Sequence, residues 1–343
     1  MPEAKEISFD KQVYYKLIAL WVLCEGFLGG IIHGLKIPVS GLVVGSGAII
    51  CICLIAYYVP VKGAIIKATI IVAIFKMMLS PHSPPTAYIA VFFQGLLGQL
   101  LFMNLKFYRA SCIVLGLFAM VESAVQRILV LVILYGTEFW AAIDQYISRL
   151  TNQATVTNYT SSLAVGYIFL HAVVGIFIGW FAGHLAIRSE KWTSTHEYLI
   201  EEVQEPNDGK KSELPSKRKK IMKLSLFVIW VLLIISFLQS VSEIGNPILP
   251  ANVAVQVLFR SILVVLTWYF FISPLVMLLM KKGLEKQKEN KQTDIQQVML
   301  LLPSTKYIVS KSWQMSTGYN HLRRIKNCIK IILVNTLFIR NGR

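Results

Sequence analysis

Continuous apolar runs close to 20 residues long recur along this chain, and they constrain its fold more than any other feature. IPVSGLVVGSGAIICICLIAYYVP, from Ile37 to Pro60, is one of them. About 20 helical residues cross a hydrocarbon layer roughly 30 Å thick. In lipid the backbone must satisfy its own polar groups, which leaves helices or a closed barrel. The runs are continuous and lack the alternation of a barrel strand, so helices are expected. Hydrophobic residues make up 55% of the 343 and charged ones only 15%, against about 25% charged in soluble domains. The expected class is an all-α polytopic membrane protein.

Eight spans are predicted, at about 15–35, 39–59, 63–80, 86–104, 108–135, 161–187, 222–242 and 252–280. They give a cytoplasmic N-terminus over 1–14, a six-helix bundle over 15–187 and a polar linker over 188–221. A two-span module over 222–282 and a basic amphipathic cytoplasmic tail over 283–343 complete the chain. The net charge of +16 concentrates outside the apolar runs, which argues for membrane topology and against nucleic acid. Lys62, Lys67, Lys106, Arg109, the cluster from Arg188 through Lys223, and Lys281 with Lys282 share one side of the membrane when the N-terminus is cytoplasmic. Both termini are then cytoplasmic in a multi-pass plasma (cytoplasmic) membrane protein, and no removable leader is expected. The basic segments suit anionic lipid.

The loop SPHSPP, Ser80 to Pro85, falls on the outer face. Its prolines fix φ and hold the preceding residues extended, so they stiffen a rim before the next helix. Ionisable groups inside spans are costly and usually face protein or water. Here they are Glu25, His33, Lys76, Glu122, Arg127, His171, His184 and Arg260. Glu122, Arg127 and His171 are the expected core of a solute-binding cavity, joined by His33, His82 and Gln94. Lys76 is close enough to a span end to snorkel to the headgroups. His33, His82 and His171 lack close ligand spacing, so no metal or other cofactor is expected in this chain. Cys24, Cys51, Cys53, Cys112 and Cys328 read as small apolar residues. Gly175, Gly179 and Gly183, like Gly41 and Gly45, recur every four residues and suit close helix packing. No phosphate loop, HExxH or GxSxG motif occurs, and no enzyme activity is expected.

The first module resembles the substrate-binding S components of energy-coupling factor (ECF) transporters. The residues that carry the resemblance are 37–102, with a Val-Pro-x-x-Gly-Ala turn at Val59–Ala64, the proline-rich loop, and a glutamine/glycine helix after it. The tail is similar to a diverged T component, the coupling subunit of that family. Ser316-Thr317-Gly318-Tyr319 occupies the place of its Ala-Arg-Gly motif, with Thr317 where the motif has arginine. The resemblance implies uptake of a small solute driven by separate cytoplasmic ATPase subunits. It implies coupling through Trp313, Gly318, Tyr319, Arg323 and Arg324, on a helix expected to continue across Gly318. The alternative from a different class is a membrane scaffold or assembly factor whose basic tail recruits a cytoplasmic partner.

Overall fold

A computed structural model describes residues 11–28, 40–80, 83–150, 158–193, 200, 230–231, 253–318 and 320–337. Every regular element among them is helical. Helix α1 spans Lys11–Val22 and runs into a π-helical turn, Leu23–Leu28; α2 spans Ser40–Tyr58, α3 Ala64–Leu79 and α4 Pro85–Leu101. Two long helices follow, α5 over Tyr108–Leu150 and α6 over Tyr159–Thr193. Next come α7 (Val253–Thr267), a π-helical turn (Trp268–Ile272), α8 (Ser273–Asn290), α9 (Gln292–Met315) and α10 (His321–Leu337). Among the described residues, four stretches are long and apolar enough to cross a membrane: Gly41–Tyr58, Leu105–Ile133, Tyr159–Trp192 and Phe259–Asn290. The all-α class with membrane-type helices therefore stands.

The residues pack into two compact units that do not follow chain order. One comprises Met1–Ser123, His171–Asp208 and Lys282–Arg343; the other comprises Ala124–Leu170 and Gly209–Lys281. In the first, α1 to α4 share a continuous apolar core that includes Leu17, Ile18, Ile52, Ile55, Ile71 and Phe75. The lower half of α5 meets the end of α6 through a seam of small residues. A methyl group on Gly175 would strike the Gly116 carbonyl oxygen, and one on Gly179 would strike that of Cys112. Only glycine permits this backbone approach, and the closeness supplies dispersion contacts where lipid gives no hydrophobic drive. The expected packing role of the stripe is thus visible at Gly175 and Gly179, whereas a methyl group on Gly183 would meet Cys112 at an ordinary 3.5 Å.

The tail departs from its expected form. Ile295 and Val298 of α9 and Leu333 and Leu337 of α10 join the core around α1. The tail helices fold back as a hairpin on the first module, where their apolar stripes are buried intramolecularly. The helix predicted to continue across Gly318 does not. Helix α9 stops at Met315, and Ser316–Gly318 form a turn before α10. The Ser316 and Thr317 hydroxyls donate to the Ser312 and Gln314 carbonyls at 2.8 and 2.6 Å. Such local side-chain bonds compete with helix continuation, and glycine adds its own entropic cost.

The apolar span of α5 ends at Ile133, beside the predicted end at 135, and a second helical stretch follows a kink at Gly136 in the second unit. Gly136 breaks the helical angles with φ 74° and ψ 175°, a conformation that favours glycine, and the Arg260 guanidinium lies against it. Asp144 accepts from the backbone N–H and the hydroxyl of Thr160, both at 2.8 Å, and so caps the start of α6. The Thr160 hydroxyl is therefore engaged within the fold.

Candidate functional site

Two charged residues of the apolar core define the site. Glu25 stands in the π-helical turn that extends α1, a local widening that often marks function. Lys76 stands in the last turn of α3, where a cation complements the helix dipole. Its Nζ lies 2.5 Å from Glu25 Oε2, and the two side chains are 3% and 4% exposed. The two backbones are tied beside the pair, since the Ser80 hydroxyl donates to the Gly26 carbonyl at 2.9 Å. Lys76 therefore does not snorkel. The π-helical turn and the end of α3 close around it, and the carboxylate makes burial tolerable.

Further buried polar atoms stand in the same unit. The ring of Tyr88, on α4, lies 6.0 Å from Lys76 Nζ. Buried atoms without a hydrogen-bond partner among the described residues include Tyr88 OH, Trp21 Nε1, Gln94 Oε1 and Glu122 Oε2. Trp21 stands four residues before Glu25 on the same helix, and Tyr88 and Gln94 share the buried stripe of α4. With 1.5 Å of rise per residue, Gln94 lies about 9 Å along α4 from Tyr88, and Trp21 about 6 Å from Glu25. The core thus carries two polar levels: Glu25, Lys76 and Tyr88, then Trp21 and Gln94. Gln99 is already used, since its Oε1 accepts from the Ile66 N–H at 3.4 Å in the first turn of α3.

A second ionic cluster joins the hairpin to the module. Asp294 of α9 accepts from the Tyr15 hydroxyl at 2.5 Å and pairs with Lys67 Nζ at 2.9 Å. Burial pushes the Asp294 carboxyl up, but the bonds from Tyr15 and Lys67 and the charges of Lys67 and Lys291 outweigh it and hold the pKa below the ordinary aspartate value.

Of the residues expected to bind solute, Gln94 is buried, with Nε2 3.7 Å from where a methyl group on Gly45 would stand. Glu122 is half-buried, two residues beyond Met120 on α5. His171 is buried. Arg127 is exposed and belongs to the second unit, whereas Glu122 and His171 belong to the first. His33 and His82 lie outside the described residues, as does Tyr319. Of the other residues expected to couple to a partner, Arg324 lies with its guanidinium carbon 4.0 Å from the Trp313 ring centre, a cation–π contact that closes the hairpin. Arg323 is exposed, and a methyl group on Gly318 would meet nothing within 4 Å.

Sequence reasoning found Glu25 and Lys76 separately and did not pair them. A usable signal was present: Glu25 follows Tyr15 by ten residues, and Lys76 follows Lys67 by nine. Two helices that run in the same direction from the shared Asp294 contact put opposite charges at matching height. Comparison of the chain with protein-family models, curated proteins and solved structures gives no match in any of the three.

Proposed function

We propose that this chain is a membrane component of a small-solute uptake system, an ECF-like substrate-binding and coupling subunit driven by separate cytoplasmic ATPases. The observation that carries the proposal is the polar interior of the first unit: a buried Glu25–Lys76 pair with the Tyr88 ring 6.0 Å away, in a unit that buries further polar atoms without partners among the described residues. Ionisable groups in an apolar bundle mark solute or ion paths more often than they stabilise a fold. The α9–α10 hairpin supports the coupling half of the reading, because it touches the same two helices, α1 and α3, that carry the interior pair. The finer topology belongs to this proposal: six spans in the first module, two in the second, and both termini cytoplasmic in the plasma membrane. Anionic lipid would then meet the basic segments.

Purification of the full chain from its native membrane, after gentle cross-linking, tests the reading. An ATP-hydrolysing partner and ATP-dependent solute accumulation in vesicles are the expected result. Cytoplasmic partners with no ATPase among them would overturn it and leave the scaffold reading.

A further inference from the structure

We infer that the Glu25–Lys76–Tyr88 cluster is a recognition site for a net-neutral polar solute that carries both hydrogen-bond donors and acceptors. The inference rests on the transport reading and adds the class of solute.

The charge of the site comes first. Glu25 and Lys76 cancel one another at 2.5 Å inside an apolar core. A monovalent ion that entered would leave one uncompensated charge there, which is the costly case for a buried site. A neutral solute, including a zwitterion, leaves the balance intact. Its carboxylate would take up Lys76 and its ammonium would take up Glu25, so every charge stays paired.

The hydrogen-bonding inventory comes second. Lys76 has three N–H donors, and among the described residues one bond, to Glu25, is made. A carboxylate has roughly four acceptor positions, and Glu25 uses one of them on Lys76. Tyr88 OH and Trp21 Nε1 are buried donors without partners, and Gln94 Oε1 is a buried acceptor without one. Unsatisfied donors and acceptors therefore occur together, and a solute of one kind alone would leave half of them unmet.

The test uses the full chain in nanodiscs of uncharged phosphatidylcholine, with thermal unfolding as the readout at matched ionic strength. The probes are L-alanine and uracil as neutral solutes, and sodium acetate and ammonium chloride as charged ones. For the unmodified chain, at least one neutral probe should raise the melting temperature by several degrees, and neither salt should. Glu25→Gln leaves a surplus positive charge and should shift the response to acetate. Lys76→Gln leaves a surplus negative charge and should shift it to ammonium. If the single variants fail to fold, the exchanged pair E25K/K76E keeps the site neutral and should keep the response to neutral probes. A response of the unmodified chain to a charged probe alone overturns the inference and leaves the transport reading in place. Failure of all four probes also overturns the inference, and the transport reading then stands or falls on whether an ATPase partner co-purifies with the chain.

Discussion

Helix α3 carries two lysines nine residues apart, and each meets a carboxylate, yet the two pairs differ in kind. Lys67 is 39% exposed and shares Asp294 with the Tyr15 hydroxyl, whereas Lys76 is 3% exposed and meets Glu25 in the apolar core. Water screens the first pair and can solvate either partner once it opens. The second has no such refuge, so the loss of one member strands the other. The first pair suits a reversible latch between the hairpin and the module. The second suits a fixed polar centre whose unmade hydrogen bonds invite a solute.

The largest expected effect breaks the buried pair. Lys76→Met should destabilise the chain by about 3–5 kcal/mol, because it leaves Glu25 buried and unpaired. Unfolding of nanodisc-embedded protein should show the loss, and Glu25→Gln added to Lys76→Met should restore most of it. A loss below that of the exposed pair would erase the distinction.

Asp294→Ala should cost about 1–3 kcal/mol, since it removes one charge-assisted hydrogen bond and one ion pair at the latch. Hydrogen exchange should rise in α9 and leave α3 unchanged. The sign of the pH effect follows from the lowered pKa of Asp294. Its contribution is fully present above the ordinary aspartate value of about 4 and is lost as pH falls through the lower folded value. Exchange of α9 should therefore accelerate in acid, and Asp294→Asn should remove that dependence. A latch that tightens in acid would contradict the assignment.

Lys67→Met is expected to cost only about 0.2–1 kcal/mol, and the cost should shrink as salt rises. The Lys76 variant should show no comparable salt response. Equal salt responses would mean that water reaches both pairs.

The smallest effect is expected at the turn between α9 and α10. Gly318→Ala meets no neighbour within 4 Å and should change stability by no more than about 0.5 kcal/mol. Gly318→Leu should likewise leave folding and insertion intact. A loss of an ATPase partner in that variant would locate the partner's contact at this open turn.

Much of the architecture was legible from local pattern. The Ile37–Pro60 run, the long apolar stretches of α5 and α6 and the glycine stripe at Gly175–Gly183 follow from hydropathy and spacing alone. Those signals reflect what lipid and backbone demand, whatever the neighbours. The end of the α5 span near 135 was legible, since Gly136 does break the helix, whereas the further helical stretch over TEFWAAIDQYISRL was not, because it is amphipathic rather than apolar throughout. The helix across Gly318 was missed in the opposite direction, since its apolar spacing runs on while the hydroxyl bonds of Ser316 and Thr317 end it.

The sequence by itself determined the class, the approximate run of the long apolar helices among the described residues, the stripes of small residues and the short roster of core charges; the span expected at 222–242 lies almost wholly outside the described residues. Only the tertiary structure decided which charges meet. Glu25 and Lys76 are 51 residues apart, and Tyr15 and Asp294 are 279 apart. Pairing over such separations depends on the depth and rotation of whole helices, set by packing at contacts such as the Gly116–Gly175 seam. A hydropathy pattern gives the length and face of a helix. The partner of a buried charge is chosen when several faces close on one another, because in an apolar core an unpaired charge costs more than any local preference returns.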